Sequence, residues 1–217
     1  MTHVFVGDTR SKKNIERIQQ LGWGRLFCTV QPTPFPGEKW AFDNGAFWQW
    51  QRGLSFDHHI FRERLSKARA AASQHNNPAL AIVPDIVAGG CSSLAFSLDW
   101  IGRLREEDDW PWYLAVQDGM TIHDVKPEIA RFDGIFLGGT DSFKTKAWTW
   151  CRFAHDQGKK FHYGRCGTLP KMKSAVKMGA DSLDSSFPLW TEERFETFWK
   201  QYDGVDLQQD FPYMERA

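Results

Sequence analysis

The chain has 217 residues, 41% of them hydrophobic and 25% charged, with 27 Lys plus Arg against 27 Asp plus Glu. That length suffices for one domain, spanning 1–217, with a sizeable core, and the composition excludes a disordered or fibrous protein. Zero formal net charge argues against nucleic-acid binding by bulk charge, while leaving room for a local basic groove.

No apolar run approaches the roughly 20 residues that cross a bilayer, and no signal-peptide pattern opens the sequence. Cys28, Cys91, Cys151 and Cys166 are far apart and match no zinc spacing. They read as reduced thiols, so a cytoplasmic protein with no membrane partner is expected.

Taken in order, residues 3–6 read as a β-rich strand ended by Gly7-Asp8, and residues 14–21 as a helix stopped by Gly22. Residues 25–30 read as a second strand, and 31–37, with three prolines, as loop. A third strand over 39–42 delivers Asp43-Asn44-Gly45-Ala46-Phe47, and a long helix with a charged face covers 56–73. Residues 79–83 form a continuous apolar run of the buried parallel type, ending at Pro84-Asp85.

A helix follows over 92–107, with Ser92 or Ser93 as its cap, then a strand over 112–116 that ends at Gln117-Asp118-Gly119. A short helix is expected over 122–130, a strand over 133–137 ending at Gly138-Gly139, and an aromatic-rich helix over 143–157. The strand over 160–163 leads to Gly164-Arg165-Cys166-Gly167, and the helix over 169–178 stops at Gly179. Residues 180–183 read as the last strand, with Asp184 where it runs out and Ser185, Ser186 and Pro188 starting a loop. A helix over 191–201 and a loosely docked tail close the chain.

About eight strands alternating with helices predict a parallel α/β barrel of the TIM (β/α)8 type, with an open doubly wound sheet as the alternative. In such a barrel chemistry sits at the C-terminal strand ends. Five of these ends carry Asp43, Asp85, Gln117, the pair Gly138-Gly139, and Asp184. Taken singly, Asp184 has an ordinary reading as a cap, Asp43 as a turn former and Asp85 as a cap of the next turn. Trp48, Trp50, Trp110 and Trp112 lie near strand ends, where a flat ring can stack on a base.

In order, these strand ends resemble the motifs of the tRNA-guanine transglycosylase superfamily, closest to the short phage and bacterial members that act on DNA. Asp43-Asn44-Gly45-Ala46-Phe47 resembles the family's Asp-Ser-Gly-Gly-aromatic motif, and Pro84-Asp85 its base-reading Asp. Ala115-Val116-Gln117-Asp118-Gly119 is similar to Val-Gln-Gly-Gly, Phe136-Leu137-Gly138-Gly139-Thr140 to its Gly-Gly loop, and Tyr163-Gly164-Arg165-Cys166-Gly167-Thr168 to Met-Gly-Val-Gly-Thr. Gly179-Ala180-Asp181-Ser182-Leu183-Asp184 is close to Gly-Val-Asp-Met-Phe-Asp.

The resemblance implies exchange of guanine for a 7-deazaguanine base such as preQ0. Asp184 would be the nucleophile, Asp43 the general acid and base, Asp85, Gln117, Gly138 and Gly139 the base-binding set, and Phe47 a stacking ring. Asn44 and Ala46 depart from the family's Ser and Gly, Ile86-Val87 from its Glu-Cys, and Leu189-Trp190 from its Thr-Arg. No Cys lies beyond Cys166, so the family's Cys/His zinc motif is not found. Neither zinc nor a redox cofactor is expected, and DNA is favoured over tRNA as the partner.

The chemistry agrees with these assignments. A carboxylate can attack a sugar C1′ and hold a glycosyl intermediate, while a second carboxyl protonates the leaving base. Asp85 suits the N1 and N2 donors of guanine, and Gln117 with the Gly139 N–H suits O6. Arg165 and Lys144, with Lys146, Lys171 and Lys173, follow the late strands and could meet phosphates. His58, His59, His123, His155 and His162 form no metal-ligand spacing and read as surface or core histidines. A nucleoside hydrolase, a tRNA-acting enzyme and a non-catalytic base-binding module remain as alternatives. The sequence leaves the oligomeric state open.

Overall fold

Side-chain alternation along the strands sorts the apolar residues into two compartments. In the strand Trp112–Val116, Tyr113 and Ala115 join Phe5, Leu26, Ala41, Leu80, Ile82 and Phe136 in one cluster. Trp112, Leu114 and Val116 join a second, larger cluster with the helices. The first compartment is the inside of a barrel and the second is the layer between barrel and helices.

The structure is a computed structural model that describes residues 2–28 and 31–203. Its strands are β1 (His3–Gly7), β2 (Gly24–Phe27), β3 (Ala41–Phe42), β4 (Leu80–Ile82), β5 (Trp112–Val116), β6 (Gly134–Leu137), β7 (Lys160–Tyr163) and β8 (Ser182–Ser185). Each pairs in parallel with the next, and β8 pairs back onto β1, giving a closed TIM-type (β/α)8 barrel. Closure leaves no strand edge exposed. The expected barrel is therefore the fold, and the open sheet is not.

The helices are α1 (Lys12–Gln20), α2 (Ala46–Trp50), α3 (His58–Gln74), α4 (Gly90–Glu107), α5 (Ile122–Val125), α6 (Ala147–Asp156), α7 (Leu169–Lys177) and α8 (Glu192–Asp203). Helix α2 has only five residues, too few to show a helical period in sequence. Pro127, which has no N–H to give, follows α5, and the rest of that segment is a 3₁₀ turn, Ile129–Arg131. The cap of α4 is Gly89 rather than Ser92 or Ser93. Ser93 is buried one turn inside, where its Oγ accepts from the Ile86 N–H at 3.0 Å.

Two further expectations change. Asp184 lies within β8, not past its end, because Ser185 still pairs with Val6 of β1. Trp110 and Trp112 are buried in the outer layer, where their rings stack 5.8 Å apart, and cannot reach a ligand. Residues 29 and 30 of the second expected strand, and the expected tail, lie outside the described residues.

A buried ion pair fixes the proline-rich β2–β3 loop. Arg25 donates to both carboxylate oxygens of Glu38 at 2.8 and 2.7 Å and to the Thr33 carbonyl at 2.7 Å. A fully hydrogen-bonded fork of this kind holds a loop that has no ladder of its own.

Candidate active site

Inward parity carries side chains to the C-terminal mouth of the barrel. Ala41 points inward, so Asp43 does too; Ala115 leads to Gln117, Phe136 to Gly138, and Ser182 to Asp184. A cavity of about 480 Å³ opens at this mouth. It is lined by Asp43, Phe47, Asp85, Gln117, Gly138, Gly139, Arg165 and Asp184 among others. Of the site residues expected from sequence, Lys144 does not line it.

Asp43 follows β3, and its Oδ1 accepts from the Gly45 N–H at 2.6 Å. Arg64 on α3 grips the carbonyl oxygens of Asp43 and Asn44 at 2.7 and 3.0 Å, fixing the turn. Burial raises the Asp43 pKa; the Gly45 N–H and the Arg64 charge oppose this, and the charge of Asp184 adds to it. The Cys28 thiol, held protonated by burial and by the charge of Asp43, is a further hydrogen-bond partner of that carboxyl.

Asp85 is buried between two amides. Asn44 donates Nδ2 to Asp85 Oδ1 at 2.6 Å and also to the Val83 carbonyl at 2.8 Å. Gln117 donates Nε2 to Asp85 Oδ2. Burial pushes the Asp85 pKa up to about 7, the two amide donors pull against it, and the Asp43 charge reinforces it. The carboxyl is thus poised to change charge near neutrality.

The Gln117 Oε1 accepts from the Gly139 N–H at 2.9 Å and from the Ala88 N–H at 3.2 Å. The two groups expected to meet a base O6 therefore hold each other. The Gly-Gly loop needs both glycines. A Cβ on Gly138 would stand 2.5 Å from Gln117 Nε2, and Gly139 has φ +70° with Phe143 and Asp118 within 2.7 Å of any Cβ.

Asp184, 8% exposed, accepts at Oδ1 from His162 Nε2 and from the Arg165 N–H, each at 2.9 Å. Arg165 itself has φ +53°, and its side chain turns back across the mouth. The guanidinium lies 3.8 Å from the Phe47 ring centroid and donates to the Gly139 carbonyl. It occupies the slot between stacking ring and Gly-Gly loop rather than facing outward toward a phosphate. Trp50 packs on Phe47 with ring centroids 5.6 Å apart.

Lys144 is corrected. It is buried, its Nζ donates to the Gly164 carbonyl, and burial with the neighbouring Arg165 charge lowers its pKa to about 7. A lysine turned inward in this way does not reach a nucleic-acid backbone. Lys146 and Lys173 are exposed, and Lys171 is paired with Asp141 at 2.7 Å.

Family-model scanning of the chain and a search of curated proteins both return no match.

Sequence reasoning missed four participants. Asn44 counted only as a departure from a family motif, yet it clamps Asp85. Asp8 and Cys28 line the cavity, from the ends of β1 and β2. His162 has no metal-ligand spacing to mark it; its inward parity, two residues before Gly164, is the signal in the sequence that points to it. Among the described residues no three His, Cys, Asp or Glu side chains come together to hold a metal.

Proposed function

We propose that this chain is a base-exchange transglycosylase that replaces guanine with a 7-deazaguanine such as preQ0 in DNA, through a glycosyl-aspartate at Asp184. The observation that carries the reading is the convergence of Asp43, Asp85 and Asp184 on one cavity of about 480 Å³. Burying three carboxyls together is costly unless they are used.

In the first half-reaction a carboxylate oxygen of Asp184 bonds to C1′ while the C1′–N9 bond breaks. The electron pair of that bond moves onto the base. Asp43, whose pKa burial raises, gives a proton to the leaving guanine. In the second half-reaction Asp43 takes a proton from the incoming deazaguanine. The base then bonds to C1′ and releases the Asp184 carboxylate, so atoms and charge balance.

Asp85, when ionised, accepts from the N1 and N2 donors of guanine. Asn44 and Gln117 hold its two oxygens for that task. For a base to enter, the Arg165 guanidinium leaves the face of Phe47, and the flat ring takes its place. A base within a duplex has to be flipped out to reach this depth. The preference for DNA over tRNA rests on the resemblance of the strand-end motifs to the short DNA-acting members.

The test is labelled-guanine exchange into DNA and into tRNA, with nucleoside mass spectrometry of the products. Asp184→Ala is expected to lower exchange by about 10⁴-fold or more. Near-normal exchange by that variant removes Asp184 as nucleophile, and free sugar without exchange replaces the reading by hydrolysis.

A further inference from the structure

The buried His162 has no part in the chemistry above, and its surroundings are unusual for a core histidine. It is 0% exposed and sits on β7 opposite Ser182 of β8. Its Nδ1 lies 2.8 Å from Ser182 Oγ and its Nε2 lies 2.9 Å from Asp184 Oδ1. Because a carboxylate only accepts, the Nε2 carries the hydrogen and the Ser182 hydroxyl is free to donate to Nδ1. The imidazole plane is locked by Phe136, whose ring stacks on it at 4.9 Å with an interplanar angle of 11°. Phe136 itself lines the cavity.

The two oxygens of Asp184 are therefore unequal. Oδ1 accepts from His162 Nε2 and from the Arg165 N–H. Among the described residues none donates to Oδ2. We infer that His162, steadied by Ser182, is the positioning residue of the nucleophile: it fixes Oδ1 and leaves Oδ2 as the atom that attacks C1′.

When Oδ2 forms its bond to C1′, Oδ1 becomes the ester carbonyl oxygen. The His162 and Arg165 N–H groups then hold that carbonyl and keep the ester turned toward the incoming base. No proton moves along the Ser182–His162–Asp184 chain in this step; the chain orients. This inference rests on the reading of Asp184 as nucleophile.

The experiment separates the two. Single-turnover formation of the glycosyl-enzyme is measured with a guanine-containing single-stranded oligodeoxynucleotide, by acid quench and mass spectrometry. Free guanine affinity is measured beside it. His162→Leu is expected to slow formation about 30-fold, the worth of one hydrogen bond to a charged group, with guanine affinity unchanged within about twofold.

His162→Gln, whose amide can donate to Oδ1, is expected to recover most of that loss, and Ser182→Ala to lose about fivefold. A core histidine with no positioning role predicts otherwise: Leu and Gln variants equally slow, or guanine affinity falling in step with the rate. Either result overturns the inference. If His162→Leu fails to fold, the Gln and Ser182→Ala variants decide, because a wild-type rate in Ser182→Ala together with an unrescued Gln variant also overturns it. Asp184→Ala forming no glycosyl-enzyme while His162→Leu forms it at the wild-type rate defeats this inference alone. Full exchange by Asp184→Ala defeats the parent reading.

Discussion

The barrel has a cavity at each mouth, and the two treat carboxylates in opposite ways. The N-terminal mouth encloses about 540 Å³, slightly more than the C-terminal one. There the acids are paired with cations. Asp181 takes Lys160 Nζ at 2.9 Å, with His155 Nε2 3.0 Å from its other oxygen, and Asp133 pairs with Arg105. At the C-terminal mouth Asp43 and Asp85 form no ion pair with any described residue; backbone N–H groups, amides and a thiol hold them instead. Volume alone does not separate the two mouths. Acids buried outside any ion pair do, because burial raises their pKa rather than a cation lowering it.

The sharpest way to break this contrast is Asp85→Asn, which keeps the shape and removes the charge. Guanine exchange is expected to fall about 100-fold, the scale of losing one directed polar contact in a closed site. With Asp85 titrating near 7 and active as the carboxylate, kcat/KM for guanine should rise with pH through about 7 and then level. The variant should lack that limb of the pH profile. A limb that survives in Asp85→Asn would assign it to another group and leave Asp85 as scaffold.

Stability should divide the mouths by sign. An acid with a raised folded pKa binds more protons folded than unfolded between its two values. For Asp85 those values are 3.8 and about 7, so stability is greatest below the lower one and falls as pH rises through the window. Asp43, also raised, acts in the same direction. Asp181 is the reverse: burial, which alone would raise its pKa, is outweighed by Lys160, the Phe161 N–H and His155 together. Its contribution is present above the ordinary carboxylate pKa and is lost as pH falls below it. Urea unfolding midpoints for wild type and Asp85→Asn between pH 4 and 8 test this. Asn at this position leaves one of the two amide donors without an acceptor at every pH, so what is read is the change: from pH 4 to pH 8 the difference should move toward the variant by on the order of a few kcal/mol. A difference that does not change with pH would mean that Asp85 is ionised without penalty.

Much of this architecture was legible in the sequence because strands read locally. Trp112–Val116 and Lys160–Tyr163 have the expected bounds, since an apolar run between turn formers carries its own limits. The strand ends at Asp43, Asp85, Gln117 and Gly138-Gly139 were legible for the same reason, and the cavity gathers them. What was not legible depends on contacts across the barrel. That Asp184 stays inside β8 follows from pairing with β1, some 180 residues earlier in the chain. The grip of Asn44 on Asp85 joins the ends of β3 and β4. The inward turn of Lys144 depends on the path of the loop after β7, to which residue identity gives no clue.

The smallest expected effect probes the quiet mouth. Asp181→Asn keeps one acceptor for the Phe161 N–H, which lies at 2.9 Å, and loses the charge that pairs with Lys160. This pair is partly exposed, and solvent screens such pairs. The cost should therefore be about 1 kcal/mol, read from the urea midpoint at pH 7. Exchange should stay within about twofold of wild type, because the residue is at the far end of the barrel from the cavity that Asp184 lines. The side chain next to it in sequence is Ser182, which does face the barrel interior through His162. A fall in exchange well beyond the loss of stability would mean that a shift of β8 at the lower mouth reaches Asp184. Two mouths that differ in their charges would then still be mechanically one.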